Sequence, residues 1–201
     1  MGHLGARLFT WLQGATFYRR LHEDAVMLLP KGTGALWIDI GGGPGLMARL
    51  AAERGYDALG IDHDTAMTGV AERIADKQGS LARFETGDLF ALPARSADVV
   101  SASSLLATLP DKRAGLKALL RVVRPGGTLL LIEPGASFTR AAAEAFITRH
   151  GPSRGMNGLR LWALMRGGRT IDPALFEELP AQTVTRIPLL DGLVTAWLIR
   201  S

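Results

Sequence analysis

Apolar positions first recur at helical spacing, with Leu4, Leu8, Trp11 and Leu12 on one stripe and Phe17, Leu21 and Ala25 on another, and this stretch stops before Pro30. From Lys31 the pattern changes to short apolar runs separated by helix-length stretches, which predicts βαβ units on a parallel sheet. Strands are expected at residues 35–40, 58–61, 81–86, 97–101 and 128–132. A helix over 45–54 is stopped by Gly55. Asp64 is placed to cap a second, with Met67, Val70, Ala71 and Ile74 inward, and Asp111 a third, with Leu116, Leu119, Leu120 and Val123 inward. Pro125-Gly126-Gly127 is expected to turn the chain into the fifth strand. After Phe138 come two helical stretches, 139–149 and 156–166, and a short helix opened by Asp172-Pro173. Two β-rich runs around Asp191-Gly192 then predict a hairpin over 183–199.

These elements make one α/β domain over residues 1–201, divided into a helical lid (1–30), a sheet core (31–138), a helical insertion (139–180) and a terminal hairpin (181–201). A length of 201 residues with 47% hydrophobic and 21% charged positions suits a single buried core and not a disordered chain. The absence of cysteine excludes disulfides and thiolate metal sites, and His3, His22, His63 and His150 are too scattered to predict a metal centre. No apolar run approaches the ~18 residues of a spanning helix and no leader pattern is visible, so the cytoplasm is the expected compartment. The net charge of +4 is local: 139–169 carries Arg140, Arg149, Arg154, Arg160, Arg166 and Arg169 against Glu144 alone.

The candidate chemistry starts at Leu36-Trp37-Ile38-Asp39-Ile40-Gly41-Gly42-Gly43-Pro44-Gly45, a glycine-rich turn at the carboxyl end of a buried strand. Open α/β sheets bind ligands there, and glycines admit a ligand where a Cβ would block it. A nicotinamide fingerprint would want its third glycine at position 46, which is Leu46. The spacing of Asp39, Gly41, Gly43 and Gly45 instead resembles the first motif of the class I S-adenosylmethionine-dependent methyltransferases. The form with Gly42 and Pro44 resembles that family's small-molecule members (the methyltransferase domain 11 type).

Further features follow in that family's order. Asp62 ends the second strand, 17 residues after Gly45, and the resemblance implies that it accepts hydrogen bonds from the ribose hydroxyls. His63 would stack on adenine or simply be exposed. Asp88 would accept from the adenine amino group with the Leu89 backbone on the ring, and backbone groups near Ala102 would hold the methionine ammonium. The resemblance covers roughly 35–133, about half the chain. It implies a Rossmann-like, seven-stranded mixed sheet, five parallel strands plus the antiparallel hairpin, with helices on both faces. It implies S-adenosylmethionine as cofactor and no metal.

The implied chemistry is transfer of a methyl group to a small molecule, with the acceptor atom (O, N or S) open, mainly by proximity and orientation. Ser101-Ala102-Ser103-Ser104 lacks the Asn-Pro-Pro-aromatic element of nucleic-acid amino methyltransferases, and 6% aromatic content offers no stacking platform, so no nucleic-acid partner is expected. Tyr18 and His22, four apart on one helical face, are the candidates for a lid contact and a base, though ordinary packing explains them as well. The arginines of 139–169 suit an anionic acceptor or a solvated helix face alike. Apolar residues beside them suit core packing, an amphipathic acceptor or a membrane surface. Two alternatives stay open: a membrane-surface enzyme acting on a lipid or quinone, suggested by Trp11, Phe17 and Trp162, and a non-catalytic regulatory protein that binds the same cofactor.

Overall fold

The structure is a computed structural model that describes residues 10–151, 155–166, 168–177, 179 and 183–200. Leu4, Leu8, Arg154 and the side chain of Arg166 fall outside this description. Seven strands form one sheet, β1 (Leu36–Ile40), β2 (Asp57–Asp62), β3 (Arg83–Thr86), β4 (Ala97–Ser103), β5 (Val123–Pro134), β6 (Thr183–Leu189) and β7 (Val194–Arg200). Their order is β3-β2-β1-β4-β5-β7-β6. The first five are mutually parallel, and β7 runs antiparallel to both β5 and β6. The helices are α1 (Thr16–Val26), α2 (Leu46–Glu53), α3 (Thr65–Gln78), α4 (Lys112–Val122), α5 (Arg140–His150), α6 (Met156–Arg166) and α7 (Ala174–Glu177). This is the seven-stranded mixed sheet expected from the sequence.

Side-chain alternation divides the interior in two. Trp37, Val99, Leu130, Ile132, Val194 and Ala196 point to one face with α1, α2, α5 and α6. Ile38, Val100, Ala102, Leu129, Leu131 and Trp197 point to the other with α4 and α7. A sheet buried on both faces reads as continuous apolar runs, which is why the central strands were visible in the sequence. Among the described residues, no helix is long and apolar enough to cross a membrane.

The boundaries move where tertiary context decides. β3 starts at Arg83 because Leu81 is solvent-exposed. Val123, expected on a helix face, is the first residue of β5, and Pro125-Gly126-Gly127 bulges from that strand instead of preceding it: β5 pairs with β4 at Val123, then resumes at Thr128 opposite Val99. β4 continues to Ser103, two residues past its expected end. The Asp64 and Asp111 caps form, accepting from the N–H groups of Ala66 and Ala114 at 2.9 Å each.

Candidate functional site

A cavity of about 330 Å³ opens at the carboxyl ends of β1, β2 and β4. Among the residues singled out in the sequence, Asp39, Gly41, Gly42, Gly43, Asp62, His63, Tyr18 and His22 all line it. The cavity was assembled from three sources: strand ends, the glycine loop, and helices α1 and α6 folded over them.

Asp39 is the next-to-last residue of β1, on the same face as Trp37, and Ser101 stands opposite it on β4. The Trp37 indole N–H donates to Ser101 Oγ at 2.8 Å, and the Ser101 hydroxyl donates to Asp39 Oδ1 at 2.7 Å. Fully buried, this relay fixes the carboxylate's orientation. Its other oxygen, Oδ2, has no hydrogen-bond partner among the described residues. Burial pushes the Asp39 carboxyl up to about 7; the Ser101 hydrogen bond opposes the rise and the nearby Asp62 charge adds to it. A buried acid with one unpartnered oxygen is costly unless a donor or cation completes it. Gly42 is required beside it, since a Cβ there would lie 2.4 Å from Asp39 Oδ2.

The loop is held from below and above. Asp62, at the end of β2, accepts the Gly43 N–H on Oδ2 and the Asp64 N–H on Oδ1, both at 2.9 Å. Each carboxylate oxygen retains a second lone pair for a ligand. Gln13, which the sequence did not single out, bridges the loop from the amino-terminal segment: its amide N–H donates to the Gly42 carbonyl and its oxygen accepts the Leu46 N–H, each at 3.2 Å. It thereby satisfies one of the free N–H groups at the start of α2. The signal for it was absent because a glutamine 33 residues from its partner leaves no local pattern. Buried Arg49 closes the loop's far end by donating to the Pro44 carbonyl at 2.6 Å.

Four singled-out residues stand outside the cavity lining. Gly45 is the α2 N-cap at φ 79°, and a Cβ there would lie 2.3 Å from the Phe84 ring, so its glycine serves backbone geometry and packing. Asp88 is exposed and caps a short 3₁₀ turn by accepting the Phe90 N–H at 3.0 Å, while Leu89 is buried in that turn. The Ala102 side chain is buried on the opposite face of the sheet, and its successors Ser103 and Ser104 reach the cavity instead. Ser104 takes a left-handed φ of 54°, a conformation rare for a non-glycine residue and found at functional turns.

The opposite wall is aromatic. Tyr18 stacks on His22 with ring centroids 4.4 Å apart and meets the Trp162 edge at 5.3 Å. His22 Nδ1 lies 2.8 Å from the Tyr18 carbonyl oxygen, an arrangement that requires Nδ1 to carry the proton and leaves Nε2 as an acceptor. Ser103 Oγ is 3.2 Å from Nε2. Burial lowers the His22 pKa to about 4, only partly offset by the Tyr18 carbonyl, so the ring is neutral at pH 7. His63, by contrast, is 80% exposed at the rim, 3.3 Å from Asp62. Of the amphipathic residues named earlier, Phe17 and Trp162 are buried in the core and only Trp11 is open to solvent.

The arginines of 139–169 divide as well. Arg160 forms a two-pronged pair with Glu144 at 2.7 and 2.9 Å, and Arg149 pairs with Asp191 at 2.8 Å. Arg169 lines the cavity.

Residues 38–131 match the family model described as a methyltransferase domain, and the strand order and hairpin above complete the class I arrangement. Just under half of the chain is thus similar to that methyltransferase domain. The chain is similar to a ubiquinone biosynthesis O-methyltransferase of Methylococcus capsulatus, 32% identical over 95 residues, 46% of this chain and 40% of that protein. It is also similar to a trans-aconitate 2-methyltransferase of an Azoarcus species, 32% identical over 127 residues, 62% of this chain and 49% of that protein. The chain thus spans less than half the length of these relatives. Among solved structures, the plantazolicin methyltransferase BpumL in complex with a monoazolic desmethylPZN analogue and S-adenosylhomocysteine shares the fold at TM-score 0.68 and 16% identity, over 97% of this chain and 89% of that one. The family match covers β1 through most of β5. Gln13, Tyr18, His22, Trp162, Met165 and Arg169 line the cavity from outside it.

Proposed function

We propose that this methyltransferase domain binds S-adenosylmethionine at the β1–β2 end of the cavity and transfers its methyl group to a small acceptor held against the α1–α6 wall. The observation that carries this reading is the convergence of the Asp39 and Asp62 carboxylates with the Gly41–Gly43 backbone in one cavity at adjacent strand ends. Asp39 offers its unpartnered oxygen to an ammonium, directly or through water, and Ser103 and Ser104 at the end of β4 line the same cavity. Asp62 offers two lone pairs to vicinal hydroxyls. Asp88 and Leu89, at the next strand end, are assigned to adenine by resemblance, with His63 as a rim contact.

When bound, the cofactor supplies a methyl group activated by a sulfonium, and the protein's share is to align the acceptor and exclude water. His22 is unsuited to take a proton from a hydroxyl acceptor. Moving a proton from a phenol of pKa ~10 to an imidazole of pKa about 4 is uphill by about 8 kcal/mol. Its neutral Nε2 instead orients the Ser103 hydroxyl at the cavity wall, and Tyr18 and Trp162 shape the acceptor space.

Calorimetry with S-adenosylmethionine and S-adenosylhomocysteine tests the reading. The wild type should bind at micromolar concentrations and Asp62→Ala at least about tenfold more weakly, as expected for loss of two charged hydrogen bonds. Binding of neither compound by the wild type would sink it, and binding without transfer to any acceptor would favour the regulatory alternative. A second reading, an enzyme at a membrane surface acting on a quinone or lipid, is favoured by the exposed Trp11, Leu164 and Met165, the last of which also lines the cavity. Cosedimentation with anionic vesicles checks it.

A further inference from the structure

The cavity is charged unevenly. Its acidic lining, Asp39, Asp62 and Asp64, comes from the carboxyl ends of β1 and β2 and the start of α3, where the glycine loop sits. Its one lysine or arginine, among the described residues, is Arg169, which follows α6 on the wall that also carries Trp162 and Met165. No carboxylate among the described residues lies within ion-pair distance of Arg169, whereas Arg149 and Arg160 from the same basic segment are paired with Asp191 and Glu144. The segment's basic excess is therefore not wholly a solvated helix face: one of its guanidiniums is presented to the cavity with its donors uncommitted. A guanidinium in that setting matches an oxyanion, which it can bind with two parallel hydrogen bonds.

Space and polarity add to the argument. At about 330 Å³ the cavity is at the lower end of the ~300–1,000 Å³ that holds one drug-sized ligand. A cofactor on the glycine loop leaves room for only a small second molecule. The lining also supplies apolar surface from Trp162, Met165 and Leu105.

We propose that the methyl acceptor is a small anion, with a carboxylate or phosphate paired to Arg169 and a planar or apolar body against Trp162, Met165 and Leu105. This rests on the cofactor site proposed above. The negative charge serves selection as well as affinity: an anion is drawn to the Arg169 end and repelled by Asp39 and Asp62, so it enters with its anionic group pointing away from the glycine loop and its body toward the cofactor end. Arg169 is thus a specificity-determining residue and takes no part in the bond changes of transfer.

The test is titration calorimetry of benzoate, phenyl phosphate and neutral benzamide into protein saturated with S-adenosylhomocysteine, using wild type, Arg169→Met and Arg169→Lys. Arg169 is exposed, so both variants should fold, and titrating S-adenosylhomocysteine into each variant first separates an effect on the acceptor from an effect on the cofactor. The wild type should bind benzoate or phenyl phosphate at least about tenfold more tightly than benzamide. Arg169→Met should erase that preference and Arg169→Lys should retain part of it. Which of the two anions binds identifies the oxyanion. Equal binding of benzoate, phenyl phosphate and benzamide by the wild type, an undiminished preference in Arg169→Met, or no binding of either anion at millimolar concentration would overturn the proposal. Tight binding of the neutral probe alone would transfer support to the quinone-type acceptor. Failure of S-adenosylhomocysteine to bind would appear in the first titration and would count against the cofactor site itself.

Discussion

Asp39→Asn exchanges a buried carboxylate for a neutral group of the same shape, and its effect on stability should reverse with pH. In the ligand-free protein the carboxyl is raised from 3.8 to about 7. Between those values the folded state keeps a proton that the unfolded chain has lost, so the folded state binds more protons and stability falls as pH rises through the window, levelling above pH 7. From pH 5 to pH 7.5 the wild type should lose about 2.5 kcal/mol on this account. The asparagine variant has no such dependence. Its Oδ1 can take the Ser101 hydroxyl, but its amide N–H₂ would occupy the place of the unpartnered oxygen beside Gly42, at a pH-independent cost of ~1–3 kcal/mol. The variant should therefore be less stable than wild type at pH 5 and should recover about 2.5 kcal/mol of that difference by pH 7.5.

Urea denaturation of the ligand-free proteins at the two pH values measures this difference directly, and taking the wild type and variant together cancels titrations elsewhere in the fold. Cofactor binding should run the other way. If the ammonium needs the ionised carboxylate, S-adenosylhomocysteine affinity of the wild type should rise by up to about eightyfold from pH 5 to 7.5, the ratio of ionised fractions for a pKa of about 7. The variant's affinity should be weak and flat. A stability difference between the two proteins that is the same at both pH values would refute the reasoning, because it would mean that Asp39 is not held protonated by its burial.

His22→Gln should remove an acid sensitivity. The imidazole is lowered from 6.5 to about 4, so the unfolded chain binds the extra proton, and its stabilising contribution is complete above pH 6.5 and lost as pH falls toward 4. Wild type should lose about 2 kcal/mol on this account between pH 7.5 and 5, and the variant should not, by denaturation at the two pH values. Gln13→Ala removes both bonds that hold the glycine loop from the amino-terminal segment. It should weaken S-adenosylhomocysteine binding by about fivefold, near 1 kcal/mol, with only a small shift in thermal midpoint, since the bonds are partly solvated and net hydrogen-bond contributions are modest. Calorimetry and a thermal melt together separate the two effects.

The strand-end half of the cavity was legible in the sequence because its determinants are local. Asp39, Gly41, Gly42 and Gly43 are consecutive or nearly so, Asp62 ends the next strand, and each reports its own place through strand, turn and helix signals. Gly45 was recognised for its spacing, yet what demands glycine there is its left-handed φ and the Phe84 ring, a residue 39 positions away in a short and partly exposed strand. Ala102 missed the cavity for a similar reason. β4 runs to Ser103, and the period of two puts Ala102 on the opposite face while Ser101 faces Asp39. The relay from Trp37 through Ser101 had no signal at all. It exists because β1 and β4 are neighbours in register although 62 residues separate their paired positions, and strand adjacency across such a distance is a property of the topology.

That division of the cavity has a functional meaning. Asp39 and Asp62, at strand ends, lie within the family match, whereas the opposite wall of the cavity comes from α1 and from the chain around α6, outside that match. A wall of this kind can change its chemistry without disturbing the loop, with one exception. Gln13 lies outside the match, yet it satisfies the Leu46 N–H and the Gly42 carbonyl within it. Gln13 therefore links the amino-terminal segment to the glycine loop, and a ligand that orders the loop is expected to favour the observed placement of the segment that carries Tyr18 and His22. By reciprocity, an acceptor that packs against Tyr18 and Trp162 tightens the hold on the cofactor, so the two ligands should bind with positive cooperativity that Gln13→Ala abolishes.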